Sequence, residues 1–324
     1  MIYKLLLEFT KYAFSLLVFF LIFINVSASE SFYSKALKDS AITNGFKRPS
    51  EINSSFNKEK SKLERDFFKE KILSFNTINT CASCHLDKFS SGDGLPNAVG
   101  SAIQGSTILE KYKTKGLIVP RNTLPLWGRG SEDFDTFFWD GKVTTIDGRV
   151  ISQLGLLSRN YATKDGKYSI DVKDNALLTA IHLPFVEIRE LVQDDEEIDT
   201  YLKNEDIGSA FDIYGEITER VKQNSLYSKR LQKIYDISIE DISFHHIADA
   251  ITHFIKDKFS IKDTRFSNFV FKNKELTEYE IKGGLIFYGK GKCATCHSGQ
   301  FFSDLEFYSI PFPQIGFGKN GFGI

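Results

Sequence analysis

Cys81-Ala82-Ser83-Cys84-His85 and Cys293-Ala294-Thr295-Cys296-His297 are two copies of one five-residue pattern, and together they use all four cysteines of the chain. At this spacing two thiols add across the two vinyl groups of a porphyrin, and the adjacent imidazole reaches its iron. One copy would also suit half of a zinc site. Two copies, each with its own histidine and no cysteine left over, point to two covalently bound haem c groups. Cys81, Cys84 and His85 would hold the first, with His85 on the haem 1 iron. Cys293, Cys296 and His297 would hold the second, with His297 on the haem 2 iron.

The rest of the composition narrows the class. The chain has 324 residues, 42% hydrophobic and 14% aromatic, which suits packed globular domains and not a disordered chain. A formal net charge of −1 gives no bulk electrostatic case for nucleic acid or an anionic membrane. Lys4 and Lys11 precede an apolar run from Tyr12 to Val26, and Val26-Ser27-Ala28 is a small-residue cleavage site. The run is shorter than the ~20 residues a spanning helix needs. A cleaved signal peptide over 1–28 and a periplasmic body are therefore expected, with an uncleaved anchor as the alternative. Disulfides are permitted there, but with every cysteine committed to haem none is expected.

Residues 29–75 are polar and charged, with a helical run over Lys60 to Phe75. The first motif opens onto the turn-rich Ser90-Ser91-Gly92-Asp93-Gly94-Leu95-Pro96. The charged segment from Gln193 to Asp206 reads as an interdomain region, which places one haem domain over 29–200 and the other over 201–324. Phe244, Ile247, Ala248, Ile251, Phe254 and Ile255 fall at helical spacing. Thr277 and Glu280 have capping-box spacing, predicting a helix to about Tyr288 that delivers the chain to the second motif. Strand signals are sparse, so the class is mainly α, with two cytochrome c-like domains each carrying a haem.

Beyond the haem motifs the residues resemble the bacterial di-haem cytochrome c peroxidases, including their MauG-like branch. Arg121-Asn122-Thr123-Leu124-Pro125 is similar to the family's Arg-Asn-Thr-Pro segment. Phe137-Phe138-Trp139-Asp140-Gly141-Lys142 resembles its Phe-Trp-Asp-Gly-Arg signature. The approach to the second motif, from Phe266 to Phe269, and its continuation to Asp304 also follow the family. The resemblance covers about residue 75 to the end of the chain. It implies that the haem on His85 reacts with peroxide, that the haem on His297 stores electrons, and that Trp139 lies between them as a bridge. It also implies that Asn122 helps to bind a calcium ion, for which oxygen ligands are suited.

Breaking a peroxide O–O bond needs an open iron position and a group that moves a proton from one oxygen to the other. In the family a glutamate six residues after a proline does this. Pro184 and Glu190 have that spacing, and Glu187 is the competitor if the segment is shifted by three. The family usually has a glutamine four residues before that proline, where this chain has Ala180. Of the six histidines, none lies between His85 and Trp139, where many family members carry a removable ligand. The first haem is therefore expected to rest five-coordinate or water-ligated. His182 is a candidate for the same pocket or a packing residue. His246 and His253 read as solvent-facing, and His245 as an edge of the core.

The second haem lacks an evident second ligand. The only methionine is Met1, and Tyr308, the only tyrosine after the second motif, is too near it to match the family position. Pro313 to Ile324 looks like the start of a family loop, which suggests a truncated second domain. The expected function is a periplasmic dihaem c-type oxidoreductase reducing hydrogen peroxide with electrons from a small cytochrome c or cupredoxin. The alternatives are a MauG-like enzyme oxidising a partner protein, and a dihaem electron carrier or redox sensor. A homodimer stays open.

Overall fold

In the computed structural model the described residues are 32–95, 97–100, 119, 121–152, 161–162, 169–170, 175–187, 190–192 and 207–310. The export signal, the segment from Gln193 to Asp206 and the terminal stretch from Pro313 lie outside them. Among the described residues no helix is long and apolar enough to cross a membrane. Contacts divide the chain into two compact units, one built on 52–261 and the other on the stretch up to Glu51 together with 262–307.

The first unit is mainly helical. Helix α1 (Lys58–Phe67) starts where the Asn57 side chain accepts from the backbone N–H groups of Glu59 and Lys60, at 2.9 and 3.1 Å. It is followed by α2 (Ala176–His182), α3 (Ile207–Gln223), α4 (Ser225–Tyr235) and α5 (Phe244–Lys258). All six apolar residues marked at helical spacing are buried on α5, which packs chiefly on α1 and also on α2. Each fully buried large side chain contributes roughly 1.5–3 kcal/mol, so this stripe organises the unit.

The boundary expected near residue 200 is not where the chain divides. Helices α3 to α5 belong with the first haem motif: α4 and α5 pack on α1, α5 also packs on α2, and α3 packs on α4, α5 and the turn Lys71–Leu73 just before the motif. Arg220 on α3 strengthens the same link. Its guanidinium donates to the backbone oxygens of Ile72, Ser74 and Phe75 at 3.0, 2.8 and 3.0 Å, just before the motif. A hydrogen bond from a charged donor is worth about 1.5–3 kcal/mol. Arg220→Met is therefore expected to cost about 3 kcal/mol or more in denaturant unfolding of the holoprotein; a change below about 1 kcal/mol would show that the staple is dispensable.

The few strands form a small antiparallel sheet beside the helices: β1 (Thr136–Phe137), β2 (Val143–Ile146) and β3 (Arg149–Ser152), in that order. Ile146 pairs with Arg149 around Asp147-Gly148, whose φ values of 51° and 71° are those of a two-residue hairpin turn. His246 and His253 are not solvent-facing. His246 Nδ1 accepts from the cap residue Ser243, and His253 Nδ1 accepts from the Asn57 N–H at 2.9 Å, so both are half-buried cap partners.

The second unit packs the helix over 32–43 with α6 (Arg265–Lys272) and α7 (Glu278–Tyr288). Its core holds Leu37, Ala41, Phe46, Phe269, Val270 and Ile281. The capping box predicted for α7 is present: the Thr277 N–H donates to Glu280 at 2.8 Å, and the Glu280 N–H donates to Thr277 Oγ1 at 3.3 Å. A Cβ at Gly284 would lie 2.6 Å from a methyl group of Leu37, so α7 and the helix over 32–43 approach closely there and Leu37 would have to shift to admit a side chain.

Candidate active site

The first motif sits on a short helical turn, Cys81–Cys84, with the Thr80 N–H donating to Ser83 Oγ at 3.1 Å. The Ala82 N–H donates to the oxygen of Phe68, which ties the turn to the end of α1. Downstream the chain folds back on itself. Leu86 N–H donates to Gly92 O, Ser91 N–H donates to Leu86 O, and both Ser90 and Ser91 take positive φ. That loop presents the Ser91 carbonyl to His85 Nδ1 at 2.9 Å. Burial holds the His85 imidazole below its ordinary pKa, so it is neutral at pH 7. With Nδ1–H donated to a carbonyl, Nε2 carries the lone pair a metal needs. Burial, with Glu64 nearby, pushes the Cys81 thiol well up, so it remains protonated.

The motif opens into a cavity of about 450 Å³. Cys81, Cys84 and His85 line it together with Phe68, Leu126, Ile251 and Ile255. The β1–β2 segment contributes Phe137, Phe138, Trp139, Asp140 and Lys142, and α2 with its following turn contributes Leu177, Ala180, Ile181, Pro184 and Phe185. The volume is within the range of pockets that enclose a cofactor, and the walls are largely apolar. This donor set fits a haem: two thiols beside a neutral, carbonyl-anchored imidazole, at the edge of an apolar chamber.

Glu190 also lines the cavity. Its backbone is fixed from two directions. Its carbonyl accepts from Asn79 Nδ2 at 3.3 Å, and the neighbouring Leu191 carbonyl accepts from the Phe75 N–H at 3.1 Å. Both donors belong to the strand of chain entering Cys81, so motif and carboxylate are positioned by one segment. Burial, reinforced by the negative charge of Glu187, pushes the Glu190 carboxyl up to about 7, with Lys142 opposing. Glu187 is placed differently. It is absent from the cavity wall, and its Oε1 accepts from Lys142 Nζ at 2.7 Å. Ala180 does line the cavity, so the position where the family usually has glutamine offers no polar side chain.

Trp139 is carried on a strained turn, since Phe138 takes a φ of 66° where a side chain is costly. Trp139 is 47% exposed, and its Nε1–H donates to the Asn122 backbone oxygen at 2.9 Å. His182 is packing and not pocket. It is fully buried, its Nδ1 bonds the Leu178 carbonyl at 2.7 Å, and Tyr214 and Phe244 cover it edge-on.

In the other unit Cys293–Thr295 form a short turn. His297 Nδ1 lies 3.0 Å from the Phe302 carbonyl, the same anchoring seen at His85. Here, however, Cys293 and His297 are exposed within their unit, and Phe302, whose carbonyl anchors His297, is 41% exposed. Among the described residues no group of three or more His, Cys, Asp or Glu is arranged to hold a bare metal ion.

Sequence reading missed the roles of Arg129 and Lys142 at the cavity wall. Lys142 could have been found from its place in the Trp139-Asp140-Gly141-Lys142 turn; Arg129 follows no motif.

The family model described as di-haem cytochrome c peroxidase matches residues 58–275. Among solved structures the chain is similar to a MauG-like protein associated with microbial copper homeostasis, at 20% identity and a TM-score of 0.49, covering 80% of this chain and 59% of that one. It is also similar to the diheme peroxidase BthA from Burkholderia thailandensis, at 15% identity and a TM-score of 0.49, covering 78% and 52%. The chain thus spans between half and three-fifths of these structures. Among curated proteins no sequence matches it.

Proposed function

Because the chain belongs to the di-haem cytochrome c peroxidase family, we propose that it is an exported two-haem oxidoreductase whose first site reduces hydrogen peroxide with electrons from a small redox protein. The observation that carries the reading is the sharing of one apolar cavity by His85, the paired cysteines and a carboxyl group poised near neutrality. Cys81 and Cys84 would hold the first haem by thioether bonds and His85 Nε2 would face its iron; Cys293, Cys296 and His297 would hold the second. When bound, the first haem supplies an open iron position and the electrons that convert peroxide, with two protons, to two waters.

The chain's own residues manage the protons. The ionised Glu190 carboxylate accepts the proton of one peroxide oxygen and returns it to the other, the work a general acid–base with a pKa near the working pH does best. The apolar walls keep bulk water from competing for that proton. Trp139, half-exposed on its unit, would carry electrons between the haems. Asn122 would offer an oxygen to the calcium ion that the resemblance implies. Reaction of peroxide with no donor oxidised, under conditions where a reduced small cytochrome or cupredoxin is supplied in excess, would reject the peroxidase reading.

The pH dependence follows from the direction of the shift. Glu190 must start ionised, and its carboxyl is raised to about 7. Peroxide turnover should therefore rise with pH through about 7 and fall off below it. Glu187→Gln removes a negative neighbour and should move that midpoint down. Lys142→Met removes the opposing positive charge and should move it up. A pH–rate profile that responds to neither variant would detach Glu190 from the rate.

Oxidation of a partner protein is the second reading. It is favoured by the absence of any histidine between His85 and Trp139, which leaves no removable ligand for the first iron in that stretch. A peroxide-dependent mass change in a co-purifying protein, without donor turnover, would select it.

A further inference from the structure

Among the described residues, Arg129 is the one cavity-lining cation with no ion-pair partner or other carboxylate contact. Three cations line the cavity: Arg121, Arg129 and Lys142. Lys142 is paired with Glu187, and Arg121 is exposed and has contacts of its own. Arg129 is half-buried, and among the described residues no carboxylate lies within the 4.0 Å of an ion pair. Its Nε–H donates to the Pro125 carbonyl at 3.0 Å, and its guanidinium lies 4.3 Å from the centre of the Phe134 ring. Those two contacts use one of the five N–H donors and one face of the plane, and the two terminal nitrogens remain to form a fork.

The turn that carries Arg129 is rigid. The Gly128 N–H donates to the Phe259 carbonyl at 2.8 Å, and the Ser131 N–H donates to the Gly128 carbonyl at 3.0 Å. A Cβ on Gly130 would lie 2.8 Å from the Lys256 Cα, so the turn is seated directly on α5. The Leu126 N–H donates to Ser91 Oγ at 2.7 Å, and the Ser91 carbonyl is the group that orients His85. Arg129 and the iron-facing imidazole are thus positioned by one connected piece of backbone. Burial alone, with no anion to oppose it, pulls the guanidinium down to about 10. A cation held this way in an apolar wall is costly unless an anion joins it.

We propose that Arg129 is the anchor for a propionate carboxylate of the haem held by Cys81, Cys84 and His85, gripping it through both terminal nitrogens. The inference rests on the haem assignment made above and adds a residue that no part of the motif predicts. Pairing would hold the propionate ionised and orient the porphyrin about its bond to His85. It would also place a fixed positive charge beside the first haem, in contrast to the exposed setting of the second motif.

The test is resonance Raman spectroscopy and a spectroelectrochemical titration of the purified holoprotein, comparing wild type with Arg129→Met and Arg129→Lys. Arg129→Met should shift the propionate-bending band of one haem to the frequency of a more weakly hydrogen-bonded carboxylate, and should shift the midpoint of that haem while leaving the other unmoved. Arg129→Lys keeps a charge but loses the fork, so its band should fall between the two. Identical bands and midpoints in wild type and Arg129→Met would overturn the proposal. Should Arg129→Met fail to assemble, a band in Arg129→Lys identical to wild type would overturn it equally. Haem stoichiometry keeps the two readings apart. Loss of one haem per chain in Cys81→Ser/Cys84→Ser supports the haem assignment whatever the band does, and unchanged stoichiometry there sinks the assignment itself.

Discussion

Glu190→Gln should slow peroxide-driven donor oxidation by about 10²–10⁴-fold, the contribution typical of a positioned acid–base group, while haem content stays the same. Gln keeps the size and the hydrogen-bonding shape of the side chain but cannot accept and return a proton. The wall position that could share the task is Ala180, which has no polar atom to offer, so little rescue is expected from its neighbour. The main-chain bonds from Asn79 and Phe75 do not depend on the Glu190 side chain, so the segment should keep its place. Glu187→Gln is the control: its carboxylate serves Lys142, and turnover at a pH well above 7 should stay within about ten-fold of wild type. Equal losses in the two variants, or no loss in Glu190→Gln, would remove Glu190 from the proton path. Steady-state oxidation of a reduced donor, with haem quantified in each preparation, reads both outcomes.

Replacing Cys81 and Cys84 together by serine should remove one haem per chain and unfold the 52–261 unit. Residual cavities cost about 24 cal/mol per Å³, and the chamber behind the motif measures about 450 Å³. A haem-free fold that kept this shape would carry a penalty on the order of 10 kcal/mol. That is as large as the whole stability of an ordinary domain, about 5–15 kcal/mol. The walls therefore cannot stand as they are without their contents. Circular dichroism should show loss of the cooperative transition of the first unit, and limited proteolysis should cut within 52–261. The corresponding Cys293→Ser/Cys296→Ser variant should unfold less, because Cys293 and His297 lie exposed in their unit. A double variant at 81 and 84 that melts like wild type would show that the first unit is held together without its haem.

Much of this site is legible in the sequence, for identifiable reasons. The haem motifs are legible because Cys-X-X-Cys-His is a local pattern that needs no distant residue to be recognised. Helix α5 follows from a single apolar stripe, and α7 from a capping box whose two hydrogen bonds are local. Glu190 is legible through its spacing from Pro184, which matches the proline–glutamate spacing that the family resemblance implies. What is not legible depends on contacts between distant residues. The unit boundary follows packing of α5 on α1, which no composition shift marks. The hairpin over 143–152 carries a Thr-Thr-Ile-Asp-Gly-Arg-Val-Ile pattern that could have been recognised from its Asp147-Gly148 turn. The separation of Glu187 from Glu190 depends on Lys142, 45 residues earlier in the chain. Arg129 depends on three backbone segments meeting at one turn, and nothing local announces it.

The most direct measurement of the central claim is the absorbance change of the purified two-haem protein on mixing with one equivalent of hydrogen peroxide at a pH above 7, for wild type and Glu190→Gln. A fast spectral change at one haem in wild type, slowed by at least about 10²-fold in the variant, is the expected result. A wild-type spectrum that does not respond to peroxide, or a variant that responds as fast as wild type, would contradict it.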